Sequence, residues 1–501
     1  ELEVDGAHAG DRVMGRTVRI CVVFLVWALA SWCQEARGII SGRVTDPQGA
    51  VIPGAAVVIT NVETNTASPS TTNESGYFEV RFLTPGKYSI AVEAAGFRKS
   101  VRAGLTLSVA GRLDIEFSLQ VGQVTETIEV TAAAPLLDTA TASGGRVIDN
   151  RQIMQLPFGD LNPFALTAMA AGMQTSGAAA ERRVFDIGGT SQSFRTMGGV
   201  GQNEYTMDGA PVTGTSRRVG FVPQADAVQE FKIETTPFDA SYGHTTGAVV
   251  NVMIKAGTNT HHGSLYDQHW QQRWNASLHF TGIAFQEAVR TGKKKPGDAK
   301  EPAGRSNNLG GSIGGPVRIP KLYNGRDKFF YFFSYSGYYQ SRVDSEDINR
   351  TVPKMAWRQG DFSDLLAVDA VKYTVYDPRS ARQEGSRVVR TPFPGNKGVP
   401  LLNPLYKFYA ALYPQPNDVP GVVTADGVNN YLATNTPKNA DYDSFINRYD
   451  YNLTDRQRLF GRWFWMNYLE TASDWTYETM PGLQTSGLTR LSRGVSLSYV
   501  W

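Results

Sequence analysis

Thiol chemistry has almost nothing to work with in this chain. The 501 residues hold two cysteines, Cys21 and Cys33, both near the start, which excludes a disulfide framework or a cysteine-based site for the body of the chain. Histidine is scarce too. Of six, His261 and His262 are adjacent, and His269 and His279 have no carboxylate at helical offset, so no metal-ligating spacing emerges. The formal net charge is only +2, which gives no electrostatic footprint for nucleic acid. Beyond residue 30 no apolar run approaches the roughly 20 residues of a membrane helix. If the chain spans a membrane it does so as a barrel, because only helices and closed barrels satisfy every backbone polar group in lipid. Signatures of catalysis are also missing. Gly198-Gly199-Val200-Gly201 is followed by no Lys-Ser/Thr and is no phosphate loop, and there is no G-x-S-x-G elbow. The expectation is a protein that is not an enzyme, with no catalytic residues, cofactor or metal.

Glycine and aromatics, by contrast, are plentiful: 50 glycines, with Phe, Tyr and Trp making 11% of the chain, a composition that suits a β-rich protein with many turns. The apolar run Ile20–Ala30 follows Arg12, Arg16 and Arg19. It is too short to span and has the flanks of a secretory signal peptide, with cleavage expected after Ala30 or Ala36. Met14 stands where such a leader begins, so residues 1–36 read as a signal peptide with an upstream extension. Trp32 is too bulky for the small residue expected before a lipidated Cys33.

Three modules follow. In residues 39–120, short alternating runs (Ile39–Val44, Ala55–Val62, Tyr77–Phe82, Tyr88–Val92, Leu113–Leu119) are separated by turns such as Asp46-Pro47, Pro53-Gly54 and Pro85-Gly86, the pattern of a small Ig-like β-sandwich. Residues 121–260 mix an extended segment at Val124–Ala132 with helical patches in Arg151–Met173. A Gly-rich stretch carrying Arg195 comes next, then a turn at Asp208-Gly209 and an alternating segment with Val228, Phe231 and Ile233. A buried strand is read within Gly247–Lys255. This is a mixed α+β pattern. Residues 261–501 give strands at Gly263–Gln272, Asn307–Arg318, Lys328–Gln340, Asp443–Asn452, Gln457–Leu469 and Ser492–Trp501. Long and short links alternate between them, as in an outer-membrane barrel with long outer loops and short inner turns. Tyr449, Tyr451, Phe460 and Trp463 flank the turn Leu453–Arg456 and read as an interfacial aromatic girdle. The Lys328–Tyr339 run is aromatic on both faces, which predicts contact with an interior domain.

Several strings resemble those of one family. Gly247-Ala248-Val249-Val250-Asn251, then Lys255-Ala256-Gly257-Thr258-Asn259, then His262-Gly263 are similar to the plug-to-barrel junction of TonB-dependent outer-membrane receptors, in particular the Oar-like subfamily. Gly310–Pro316 and Phe332–Tyr335 match further family strings, and residues 39–120 resemble the carboxypeptidase-regulatory-like module, an appended sandwich with no catalytic groups. The resemblance implies a mainly β protein: Ig-like sandwich, α+β plug over 121–260, and the first strands of an antiparallel transmembrane β-barrel over 261–501. Six strands cannot close a barrel, which needs about eight or more and in plugged transporters about 22, so an N-terminal fragment is expected. Val495, Leu497, Tyr499 and Trp501 read as the outward stripe of an ordinary barrel strand.

The same resemblance implies the site residues. Glu126, Thr127, Ile128, Glu129, Val130, Thr131 and Ala132 are similar to a TonB box, which pairs through a free backbone edge with a TonB-type periplasmic energy-coupling protein. Arg195, Asp208 and Gly209 match plug motif positions. The implied function is active import of a surface-bound ligand (siderophore, oligosaccharide or peptide) across the cell outer membrane, in contact with outer-membrane lipid. The alternative is an adhesion or assembly protein without transport. The basic run Lys293-Lys294-Lys295 reads as a solvated tip of the first outer loop.

Overall fold

The computed structural model describes residues 37–122, 127–131, 144–156, 162–175, 194–196, 203–213, 219–236, 245, 247–292, 294–298, 300, 303–344, 348–401, 403–417, 423–433, 436–473 and 485–501. The leader and its cleavage sites lie outside the described residues, as do Glu126, Ala132 and Lys293.

Alternation of apolar and polar residues builds the first module as two sheets. Strands β1 (Gly38–Thr45), β4 (Tyr77–Leu83) and β7 (Arg112–Ser118) form one, in the order β4-β1-β7. The other comprises β2 (Ala56–Asn61), β3 (Ala67–Thr71), β5 (Gly86–Glu93), β6 (Lys99–Leu107) and β8 (Thr127–Thr131), in the order β3-β2-β5-β6-β8. Every second residue turns inward, so Ile40, Val57, Ile59, Phe78, Ile90, Val92, Ile115 and Phe117 fill the core between the sheets. Strands β3 and β6 were not expected from the sequence. Pro69 sits in β3, an edge strand, where a missing donor is tolerated.

The second module centres on a mixed sheet. Its strands are β9 (Gly144–Asp149), β12 (Glu204–Met207), β13 (Ala210–Pro211), β14 (Val228–Thr236) and β15 (Val249–Ile254), ordered β13-β12-β15-β14-β9. A short helix, α1 (Asn150–Gln155), is capped by the Asp149 carboxylate, which accepts from the Gln152 backbone N–H. Strands β10 (Met173–Thr175) and β11 (Phe194–Thr196) pair antiparallel as a separate two-stranded sheet. The apolar residues expected to point inward from β14, Val228, Phe231 and Ile233, are fully buried. Strand β15 is buried along its whole length, as its run of small and branched residues predicts.

The six expected strands of the third module form one antiparallel sheet in chain order: β16 (His262–Gln271), β17 (Gly304–Pro316), β18 (Phe329–Asp344), β19 (Thr436–Asn452), β20 (Arg458–Ser473) and β21 (Thr485–Val500). Several run longer than the sequence suggests, because polar residues at their far ends continue the ladder. The sheet does not close. Its inward phase packs on the second module: Phe332, Tyr338, Tyr442, Ile446, Phe464 and Met466 share one hydrophobic core with Phe164, Tyr205, Phe221, Phe231 and Val250. That explains the doubly aromatic β18, whose even positions face the interior domain. The outward phase carries Tyr449, Trp463, Val495, Leu497, Tyr499 and Trp501, all exposed. Phe460 corrects the girdle expectation. It points inward, beneath the guanidinium groups of Arg37 and Arg448.

Among the described residues no helix is long and apolar enough to cross a membrane, which leaves a strand-built crossing untouched.

The plug–barrel contact as candidate functional site

Asp208 and Gly209 join β12 to β13 in a two-residue turn. Both have positive φ, 47° and 82°, the arrangement that type I′ hairpin turns require and that Asp-Gly supplies. The sequence points to Gly209 as the residue that needs this region; Asp208 adopts it as well. The turn aims the Asp208 carboxylate at the barrel wall. Its Oδ1 accepts from the backbone N–H of Ile254 at 2.9 Å and from Arg448 Nη1 at 3.4 Å, and its Oδ2 accepts from Arg462 Nη1 at 2.7 Å.

Arg448 and Arg462 are direct cross-strand partners on β19 and β20. Like charges so placed repel, and both side chains are only 2% exposed. Two carboxylates offset them. Asp208 lies between the pair, and Asp450 takes Arg448 in a two-pronged contact of 2.9 Å on each oxygen. Arg448 Nη1 also donates to the Ile254 carbonyl at 2.7 Å, and Arg462 donates to the Met207 carbonyl. Four charges thus sum to zero inside the wall, and the interior domain supplies one of them. Sequence reasoning singled out Asp208 but missed both arginines. The available signal was symmetry, since Arg448 and Arg462 lie at equal distances from Asp455 in the turn that joins their strands. Arg195, the third expected plug position, falls in β11, paired with β10 rather than with the sheet of Asp208.

The junction string acts along its length. Lys255 pairs with Asp226 at 3.3 Å, and Ser264 of β16 donates to the same carboxylate at 2.6 Å. Burial pushes the Asp226 carboxyl up, but hydrogen bonds from Ser264 and Ser312 and the Lys255 ammonium outweigh it and hold it below its usual range. Asn259 and Asp327 exchange two hydrogen bonds, at 2.6 and 2.8 Å, tying the string to the β17–β18 turn. Gly257 lies so close to the barrel backbone that a Cβ would stand 2.4 Å from the Tyr331 carbonyl oxygen and 2.6 Å from that of Gly315. Gly257→Ala is therefore expected to destabilise the full-length protein by about 1–3 kcal/mol through overpacking against rigid backbone, read as a lower urea midpoint. An unchanged midpoint would show that the junction yields.

The polar phase of β14 also departs from expectation. Alternation predicts solvated residues, yet Lys232 and Glu234 are buried, paired at 3.1 Å. The first module covers this face: Lys232 Nζ donates to the Ala110 carbonyl at 3.3 Å, and the Val109 backbone N–H donates to Glu230. Burial raises the Glu230 carboxyl to about 7; the Val109 hydrogen bond opposes that and the Asp149 carboxylate adds to it. A raised acid binds its proton more tightly in the folded state. Its contribution is full below the ordinary glutamate value of 4.5 and is lost as pH rises through about 7. Glu230→Gln keeps an acceptor and removes the charge. It is expected to raise the melting temperature relative to wild type at pH 8 and to leave it unchanged at pH 4.5. Parallel wild-type and variant curves would show that Glu230 does not couple to this contact.

A cleft of about 950 Å³ opens where the three modules meet, lined by Glu63, Lys255, Asn259, Arg326, Asp327 and Arg448 among others. Among the described residues no cluster of His, Cys, Asp and Glu could hold a metal ion. Within the expected TonB-box segment, Thr127–Thr131 pairs with β6 on one side as β8, the last strand of its sheet.

A wall of antiparallel strands with an apolar outward face and an interior domain fastened to its inner face defines the class of plugged outer-membrane barrels. Residues 253–501 match an outer membrane beta-barrel domain, and residues 39–120 match a carboxypeptidase regulatory-like domain. The TonB-dependent transporter Oar of Myxococcus xanthus is 24% identical over 389 residues, covering 74% of this chain. The chain spans 33% of the length of that relative. Together these matches support a TonB-dependent receptor-like protein. Among solved structures, the outer membrane transporter YddB from Escherichia coli overlaps 71% of this chain and 36% of its own, at 11% identity and a TM-score of 0.40. Hydroxyquinol 1,2-dioxygenase from Pseudomonas putida DLL-E4 overlaps 18% of this chain and 59% of its own, at 12% identity and a TM-score of 0.15. Both overlaps are too loose to bear on function. The curated relative is a transporter and the matched barrel family is not enzymatic, so the chain is read as a non-enzyme.

Proposed function

We propose that the protein is an outer-membrane active-transport receptor. It takes a ligand at the cell surface and passes it through a plugged barrel, using energy delivered by a TonB-type periplasmic protein to Glu126–Ala132. The observation that carries this reading is the Asp208 contact. Beside the apolar core that plug and wall share, one plug carboxylate bridges two buried arginines of the wall, a polar contact that drawing Asp208 away would break and its return would remake. Adhesion needs no such removable domain. The test is energy dependence. Cells that carry the full-length receptor are offered labelled ferric siderophores, oligosaccharides and peptides, with and without a protonophore. Accumulation of at least one compound that stops on de-energising while surface binding persists is expected. Binding without energy-dependent accumulation, across the whole panel, would leave the adhesion reading in its place. Export through a leader cleaved after Ala30 or Ala36 belongs to the same reading. N-terminal sequencing of the outer-membrane protein checks it, and an intact Ile20–Ala30 would overturn it.

A further inference from the structure

Strand β8 lies on the carboxypeptidase regulatory-like domain as part of its sheet. It runs parallel to β6, with Lys99 opposite Thr127 and Ala103 opposite Thr131. Among the described residues the pairing runs as far as Ala103, beside a bulge in β6: the register against β5 shifts between Tyr88 and Ile90, and Gly104 takes a φ of 77°. A bulge increases local twist and ends regular pairing. On its other side β8 is the last strand of the sheet, and among the described residues nothing pairs with that edge.

The sheet is fastened in turn to the rest of the protein. Asn452, at the end of β19, donates to Thr66 Oγ1 at 2.9 Å, and Arg458, at the start of β20, donates to the Ala67 carbonyl at 3.2 Å. The Asn259 backbone N–H donates to the Glu63 carbonyl at 3.1 Å. Residues 108–111 sit against Glu230 and Lys232 of the plug. The sheet is therefore fastened to the barrel at its β3 edge, and the open edge of β8 lies on the opposite side of the same sheet.

We propose that this sheet is the docking platform for the energy-coupling partner, which adds a strand to the open edge of β8 and leaves β8 on β6. The proposal rests on the reading of Thr127–Thr131 as the coupling segment. Main-chain hydrogen bonds supply the recognition, as in other strand additions. Pairing with β6 orders the segment in advance, so the partner does not bear the ordering cost. The opposite arrangement has the partner displace β8 and take its place.

A cross-link separates the two. Ser100 and Ile128 are register partners. Full-length receptor with Ser100→Cys and Ile128→Cys, and with Cys21→Ser and Cys33→Ser, is oxidised in outer-membrane vesicles. Binding of the purified periplasmic domain of the TonB-type protein is then measured before and after reduction. Ala103→Cys with Thr131→Cys, at the other end of the ladder, gives the same comparison where the first pair weakens binding in the reduced form. Affinity of the oxidised receptor within about threefold of the reduced one, or tighter, is the expected result. A loss of about tenfold or more that reduction reverses means displacement, and overturns the platform. Failure of both pairs to cross-link would show that β6 and β8 are not paired, and overturns it equally. Val130→Pro tests the underlying reading separately: if that receptor still binds the partner, Thr127–Thr131 is not the coupling segment.

Discussion

Asp208→Asn is expected to loosen the plug from the barrel wall by about 3–5 kcal/mol, the scale of breaking a buried charge contact by removing one partner. Asparagine is chosen because it tolerates positive φ and keeps an acceptor for the Ile254 N–H, so the turn itself survives. What disappears is the charge between Arg448 and Arg462, both 2% exposed and directly opposite each other. Arg448 retains Asp450, whereas Arg462 loses its one carboxylate partner among the described residues. The measurement is protease accessibility of the plug in full-length receptor across a urea series, with barrel integrity followed by heat modifiability. The plug transition should move to lower urea while the barrel transition stays. Adding Arg462→Gln should recover part of the loss, because the two sites interact and their effects are not additive. Coincident plug transitions in wild type and Asp208→Asn would mean that the apolar contacts alone hold the plug, among them Phe221 on Phe464 at 4.3 Å between ring centres.

Val130→Pro is expected to stop accumulation of the ligand and leave surface binding at its wild-type affinity. Proline removes a backbone donor and fixes φ in the middle of β8, between the residues opposite Val101 and Ala103. The first module should stay folded, since β8 is its outermost strand. A receptor that misfolds would lose binding and uptake together, and the contrast between the two readouts distinguishes the cases. The assay uses whichever labelled compound shows energy-dependent accumulation, with both quantities measured in wild-type and variant cells. Uptake at the wild-type rate would reduce Glu126–Ala132 to a linker.

Much of the architecture was legible because it is periodic. The six barrel strands follow from period-2 alternation and from the inequality of their links, and the Asp208-Gly209 turn follows from its residue types alone. Strand β15 follows from a run of small and branched residues. Strands β3 and β6 were hidden by composition. Ala and Pro in Ala67–Thr71, and a glycine inside Lys99–Leu107, disfavour strand, and sheet context decided their state. The site was half legible. Asp208 stands out by its turn, but its arginine partners lie 240 and 254 residues away, and no local rule spans such a gap. Burial of Lys232 and Glu234 was illegible for a related reason. Alternation tells which residues share a face, not whether another module will cover it.

Strand β1 pairs with β7 in parallel from Ile39 opposite Arg112 to Thr45 opposite Ser118, so the first strand of the domain is completed by one of its last. A polypeptide delivered through a membrane from its amino end brings β1 across long before its neighbour. Until Ser118 has emerged, β1 lacks its parallel partner, and Ile40 and Val44 have no closed interior to enter. Pairings of such long sequence separation form slowly. The crossing chain therefore presents an extended, unfinished segment for as long as residues 46–111 remain in transit. The arrangement keeps the domain translocation-competent and places a demand on whatever holds unfolded chains on the far side.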